Sequence, residues 1–194
     1  MLMTGRIEDN TAWRQAIRRE LQQRRQALDP ATHAAWSARI VAHLLAALPP
    51  PQVLALCWPI KQEADVRAVV DRWCVAGRRA ALPVVVRPEQ PLAFREWSAS
   101  SELQADRYGI PTPVDGDWLW PDMILLPLNG FDGAGYRLGY GGGYFDRTLA
   151  ALTPRPLAVG VGFEINRLPS IRPEAHDQRL DWLVTEAGAV RCAG

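Results

Sequence analysis

Apolar residues recur every fourth position at Trp13, Ile17 and Leu21, the period of a helix with one buried stripe, so 11–28 reads as a first helix. Asn10 or Thr11 can cap it. Arg14, Arg18 and Arg25 fall on a neighbouring face at spacings of four and seven, which on spacing alone reads as a solvated basic face. Asp29-Pro30, a cap followed by a first helical proline, opens a second helix with the apolar stripe Trp36, Ile40 and Leu44. His33 and His43 lie off that stripe and are expected at the surface. After the stiff connector Pro49-Pro50-Pro51 the pattern changes. Val53-Leu54-Ala55-Leu56-Cys57-Trp58 is continuously apolar, as a central parallel strand requires, and Pro59 ends it. A third helix is predicted over 66–76, stopped by Gly77, with Asp65 as its cap. A strand follows over 79–86, interrupted or irregular at Pro83. The alternation over 92–97 predicts a strand near the sheet edge, and 115–121 reads as a loop carrying Trp118 and Trp120. Buried strands are expected at 123–127 and 157–163, a helix at 144–152 and a last strand at 181–185. Strands alternating with helices predict an α/β fold: a single three-layer domain spanning 1–194, a mostly parallel sheet with helices on both faces, and a disordered tail over 1–10.

Composition narrows this picture by exclusion. With 22 basic and 21 acidic side chains the net charge is +1, so no overall field draws the chain to nucleic acid or membrane, and any anion site must be local. No apolar run reaches the length of a membrane span, and the opening Met1-Leu2-Met3-Thr4-Gly5 has no apolar signal core. Cys57, Cys74 and Cys192 show no paired spacing, which argues against a disulfide framework and for a reducing, cytoplasmic setting.

The candidate chemistry concentrates between Asn129 and Arg147. The apolar run ending at Pro127, the glycines 139, 141, 142 and 143, and the helix from Tyr144 make a strand, a glycine-rich loop and a helix start, the arrangement that holds phosphates. It lacks the Gly-Lys-Ser/Thr ending of a P-loop and the Gly-x-Gly-x-x-Gly spacing of a dinucleotide fold. Arg137 can grip a phosphate bidentately, and Asp146 in the first helical turn can reach a cation riding on it. No serine or cysteine sits beside a histidine in a recognisable nucleophile arrangement, which fits a reaction whose substrate is its own nucleophile. These parts point to a nucleotide with Mg²⁺ and leave the second substrate open. An isomerase acting on sugar phosphates, a transferase acting on coenzyme A esters and a non-catalytic nucleotide binder all remain compatible with them.

Arg137-Leu138-Gly139-x-Gly141-Gly142-Gly143-Tyr144-Phe145-Asp146-Arg147 resembles the signature of the 5-formyltetrahydrofolate cyclo-ligase family. Further resemblances extend over about 13–185: Arg14-Gln15-Ala16-Ile17-Arg18 to a Lys-x-x-Leu-Arg element that contacts ATP phosphates, Glu63-Ala64-Asp65-Val66 to a Glu-Val-Asp-Thr element whose first Glu contacts folate, and Tyr108-Gly109-Ile110-Pro111-Thr112-Pro113 to a Tyr-Gly-Ile-x-Glu-Pro turn. The resemblance implies an ATP- and Mg²⁺-dependent ligase of one-carbon metabolism that closes 5-formyltetrahydrofolate to 5,10-methenyltetrahydrofolate, acting as a monomer without nucleic acid or membrane. It implies ATP contacts from Arg14, Arg18, Arg137, Leu138, Gly139, Tyr140, Gly141, Gly142, Gly143, Tyr144 and Phe145. Folate would lie against Trp58, Glu63, Tyr140, the three glycines 141 to 143 and Tyr144. Arg137, Tyr144 and Glu63 would act in catalysis, and Asp146 with Asp177 would hold Mg²⁺. Asp181 is the weaker alternative to Asp177, and His176 is expected only to position its neighbours. The sequence departs from the family at Tyr140, where some members carry Arg beside the phosphates.

Overall fold

The computed structural model describes residues 9–192. In chain order its elements are α1 (Asn10–Gln26), α2 (Pro30–Ala47), β1 (Val53–Leu56), α3 (Val70–Trp73), β2 (Arg79–Val84), β3 (Ala93–Trp97), β4 (Leu103–Ala105), β5 (Pro111–Pro113) and β6 (Trp118–Leu119). They continue with β7 (Met123–Pro127), β8 (Gly130–Asp132), β9 (Arg137–Leu138), α4 (Tyr144–Ala151), β10 (Leu157–Val161), β11 (Arg167–Leu168), β12 (Trp182–Thr185) and β13 (Gly188–Arg191).

The apolar runs form the middle of an eight-stranded sheet of order β13-β12-β10-β7-β1-β2-β3-β6. The five central strands, from β12 to β2, pair in parallel, and the strands outside them pair antiparallel. Parallel strands covered on both faces must be apolar along their length, and these are, apart from Arg79 at the start of β2 and Thr185 at the end of β12. Leu54 and Leu56 enter one core with Ile40 and Leu44 of α2 and Trp73 of α3, whereas Ala55, Ile124 and Leu126 enter the opposite core with Phe131 and Leu149 of α4. The result is the expected α/β architecture with helices on both faces. No helix among the described residues is long and apolar enough to cross a membrane.

Several local expectations need correction. Asp9, not Asn10 or Thr11, caps α1, its carboxylate accepting the Thr11 N–H at 3.0 Å, and Asn10 is already helical. The remainder of the expected tail lies outside the described residues. The predicted third helix is a 3₁₀ turn over Arg67–Val69 followed by the single turn α3. Its β-branched Val66, Val69 and Val70 disfavour a longer helix, and the Asp65 carboxylate serves the Arg67 N–H just inside it. Pro83 lies within β2, past the pairing with β1, where its missing donor costs little. β1, β2 and β10 end two residues early, at Leu56, Val84 and Val161. The loop 115–121 contains the short edge strand β6, and β13 extends the sheet after the predicted last strand. His33 and His43 are half-buried rather than free at the surface: a ring nitrogen of each hydrogen-bonds a backbone carbonyl, of Glu63 at 2.8 Å and Thr185 at 2.9 Å.

The largest departure concerns α1. Trp13 and Ile17 are only half-buried, and the packed face consists of Arg14, Leu21 and Arg25, with Arg18 half-buried beside them. Leu21 seats the helix on Gly130, where an added Cβ would approach its Cδ1 to 2.6 Å. The basic face therefore points inward.

Candidate active site

Strand direction brings the site together. β1 and β7 run parallel, so the segments leaving their carboxyl ends emerge on one edge of the sheet, where open α/β folds bind ligands. The segment after β1 carries Trp58, Lys61 and Glu63. The segment after β7 carries Asn129, and then the chain makes an unexpected detour before the glycines. β8 and β9 pair as a hairpin, and β11 joins β8 to complete a three-stranded sheet. Asp132 closes that hairpin by accepting the Ala134 and Tyr136 N–H groups on Oδ1 and the Ile171 N–H on Oδ2. The phosphate-loop candidate thus shrinks to Gly139 through Gly143, immediately before α4.

Within this loop Gly141 has φ 95° and Gly143, the cap residue of α4, has φ 64°. Those conformations explain glycine at both positions. The helix start has no side-chain cap, so its first N–H groups are left without a side-chain acceptor.

α1 lies along this loop and supplies one arginine contact after another. Nearest the amino end, Arg14 donates to Asp177 through Nη2 at 2.5 Å and Nη1 at 3.4 Å, and to the Arg172 carbonyl at 2.9 Å. The Arg14 Nε is buried without a hydrogen-bond partner. One turn on, Arg18 donates from Nε to the Gly139 carbonyl at 2.9 Å, and its guanidinium packs over Gly141. Burial and the neighbouring Arg14 charge hold the Arg18 guanidinium below its ordinary pKa. Two turns further, Arg25 is 1% exposed and donates to the Lys61 carbonyl at 3.0 Å, Asn129 Oδ1 at 3.1 Å and the Tyr140 hydroxyl at 3.1 Å.

The two expected metal ligands are each engaged by an arginine. Asp146 Oδ1 accepts from Arg137 Nη2 at 3.0 Å and from the Gln178 N–H at 2.9 Å. The second bond draws the segment bearing Asp177 against the first turn of α4. Arg137 also donates to the Gln178 carbonyl at 2.7 Å, and burial lowers its pKa although Asp146 opposes this. Burial pushes the Asp177 carboxyl up, but the Arg14 guanidinium and the Glu174 N–H more than offset it, leaving the pKa below the usual range. Asp181 is placed elsewhere: its carboxylate accepts the Ala158 N–H at 2.7 Å and Arg155 at 2.8 Å, anchoring the start of β10. His176 is exposed, with its ring nitrogen 3.9 Å from Asp177.

Glu63 is 4% exposed, accepting the Tyr140 O–H on Oε1 at 2.6 Å and the Ile60 N–H on Oε2 at 3.0 Å. Burial pushes its pKa up, against these hydrogen bonds and the charges of Arg25 and Lys61. Burial also raises the Tyr140 hydroxyl, reinforced by Glu63. Trp58 meets Trp97 edge-on, with ring centroids 6.1 Å apart, and carries the Arg67 guanidinium 4.4 Å above its ring. Tyr144 shares a hydroxyl hydrogen bond of 2.9 Å with Tyr108. Leu138 is buried and Phe145 packs against the core, so toward a ligand they can offer little beyond backbone.

The structure therefore gathers Arg14, Arg18, Arg137, the glycine loop, Asp146 and Asp177 into one neighbourhood, with Glu63 and Tyr140 on its adjoining rim. Trp118 and Trp120 do not belong to it. Trp118 sits on the edge strand β6, and Trp120 borders a surface hollow of 450 Å³ with Leu152 and Pro154, before the amino ends of β7 and β10. Sequence reading passed over Arg25, Lys61 and Asn129 as site residues. The available signal was that Arg25 shares the spacing of Arg14 and Arg18. Among the described residues no cluster of three His, Cys, Asp or Glu side chains forms a ready-made metal centre, and Cys57, Cys74 and Cys192 are free thiols.

Comparison with known proteins places the chain in a family. A family model described as the 5-formyltetrahydrofolate cyclo-ligase family matches residues 10–186. The 5-formyltetrahydrofolate cyclo-ligase of Escherichia coli strain K12 is 32% identical over 140 residues, covering 66% of this chain and 75% of the relative. That of Mycoplasma pneumoniae is 26% identical over 175 residues, covering 88% and 97%. The solved 5,10-methenyltetrahydrofolate synthetase of Aquifex aeolicus superposes with a TM-score of 0.80 at 28% identity and 93% coverage of both chains. The synthetase from Mycoplasma pneumoniae gives 0.74 at 25%, covering 89% of this chain and 98% of that one. The chain belongs to the 5-formyltetrahydrofolate cyclo-ligase family and is an enzyme of the ligase class.

Proposed function

We propose that this protein converts 5-formyltetrahydrofolate and ATP to 5,10-methenyltetrahydrofolate, ADP and phosphate, as a cytoplasmic monomer. The observation that carries the reading is the convergence of Arg14, Arg18 and Arg137 on one glycine loop with Asp146 and Asp177 beside them. The formyl group is an amide and a poor electrophile. Its oxygen attacks the γ-phosphorus in line and displaces ADP, N10 of the folate attacks the activated carbon and gives up its proton, and phosphate leaves with the former formyl oxygen. The protein's task is positioning and neutralisation of charge.

Arg18 fixes the loop from beneath through the Gly139 carbonyl, so the N–H groups of Gly141 to Gly143 and the start of α4 can turn to phosphate oxygens. Arg14 brings a buried guanidinium whose Nε is unoccupied, and Arg137 brings a second. Asp146 and Asp177 are hard oxygen donors suited to Mg²⁺, and both hydrogen bonds to Asp146 fall on Oδ1, leaving Oδ2 for a cation. Bound there, Mg²⁺ would neutralise phosphate charge as it develops. Glu63, Trp58 and Tyr144 orient the folate.

Phosphate release from ATP is measured with and without 5-formyltetrahydrofolate, alongside the absorbance of the product. The expected result is folate-dependent release. Asp146→Asn lowers turnover by about 100-fold or more while circular dichroism stays unchanged. Release independent of folate overturns the activity, and near-normal turnover of wild type at limiting Mg²⁺ overturns the metal role.

A further inference from the structure

The segment presenting Glu63 is strained. Lys61 and Gln62 have φ of 49° and 60°, two consecutive residues with side chains in the left-handed region. Such a turn persists only where its surroundings hold it. Within the segment, the Glu63 N–H bonds the Ile60 carbonyl at 2.9 Å and Glu63 Oε2 takes the Ile60 N–H. From outside it, Arg25 Nε donates to the Lys61 carbonyl, and the Lys61 ammonium lies 5.0 Å from the centre of the Tyr140 ring.

Arg25 is itself unusual. It is buried, and all three of its hydrogen-bond acceptors are neutral. The nearby negative charge is Glu63, reached through the Tyr140 hydroxyl, which receives from Arg25 and donates to Glu63 Oε1. The phenol is thereby oriented, and with it the carboxylate. One side chain from α1 thus ties together the turn after β1, Asn129 after β7 and the glycine loop.

We propose that Arg25 is a positioning residue that acts through the Lys61 carbonyl and the Tyr140 hydroxyl to hold Glu63 in place toward folate. This rests on the reading of Glu63 as the folate contact. Removing Arg25 takes the hydrogen bonds from the Lys61 carbonyl and the Tyr140 hydroxyl, leaving the turn to the His33 bond on the Glu63 carbonyl and the phenol to Glu63 alone. The damage falls on folate binding, while Arg14 and Arg18 keep their own contacts.

The test is steady-state kinetics of Arg25→Met, Arg25→Lys, Tyr140→Phe and Arg25→Met/Tyr140→Phe, with KM measured separately for each substrate. A hydrogen-bond set of this kind corresponds to about tenfold in affinity. Arg25→Met is expected to raise KM for 5-formyltetrahydrofolate about tenfold and to leave KM for ATP within about twofold. Arg25→Lys recovers part of the loss. The double variant is no worse than Arg25→Met, because both changes release the same carboxylate. An unchanged folate KM, equal rises in both KM values, or additive single effects would overturn the proposal. Should Arg25→Met fail to fold, Arg25→Lys with Tyr140→Phe forms the same cycle. Absence of folate-dependent phosphate release in wild type would instead sink the function proposed above.

Discussion

The two N-terminal helices are nearly the same length, 17 and 18 residues, yet they are built on opposite principles. α2 buries Ile40 and Leu44 against the sheet and meets the site segment only at its backbone, through His33 on the Glu63 carbonyl and Ser37 on the Asp65 N–H. α1 buries two arginines with one leucine, and its contacts are made to carbonyls, a carboxylate and a phenol. Apolar burial is non-directional and tolerant, so α2 needs only to be covered. A buried guanidinium needs acceptors at fixed distances, so α1 is useful only in one register. The first helix sacrifices stability for placement, and the second supplies stability.

Three changes separate these roles, beginning with the largest. Leu44→Ala opens a cavity under α2 and costs about 2–5 kcal/mol, read as a fall in denaturation midpoint with KM values unchanged in the folded fraction. If KM shifts as well, the division between the helices is too sharp. Asp177→Asn, which weakens the Arg14 contact, costs about 1–3 kcal/mol at neutral pH. The folded pKa of Asp177 lies below its unfolded value, so its contribution is present above about pH 4 and disappears as pH falls through the folded pKa. Stability of this variant should therefore decline less steeply toward acid than that of wild type in denaturation series at stepped pH. An identical acid limb would mean that the pair is not formed in solution. Glu20→Ala breaks the exposed Glu20–Arg24 pair on the outer face of α1 and should cost no more than about 0.5 kcal/mol. A loss comparable to that of Asp177→Asn would show that the outer face is not merely solvated.

The same contrast explains what could be read from the chain. The central strands announce themselves because both faces are buried, so Val53–Leu56 and Met123–Pro127 are apolar throughout. α2 follows its stripe. The glycine loop and Asp146 were legible from spacing and from the resemblance. α1 misled because periodicity registers only apolar burial. What buries Arg25 are Lys61, Asn129 and Tyr140, 36, 104 and 115 residues further along the chain, and no local pattern encodes them. The β8–β9 hairpin escaped because strands of three and two residues have too few positions to show alternation. The third helix was over-extended because its valines satisfy a helical apolar pattern while opposing helical backbone.

One contact has a consequence for the order in which the molecule is made. Asn10 and Arg14 in the first described helix close on Glu174 and Asp177, separated by 164 and 163 residues. A ribosome delivers Arg14 well before Asp177, with 163 residues of synthesis between them. Until Asp177 emerges Arg14 lacks that partner, and docking it is a long-range closure that waits on the intervening chain. The central strands β1, β2 and β7 can pair before that closure, but Arg14 and Asp177 meet only after β10 has been made.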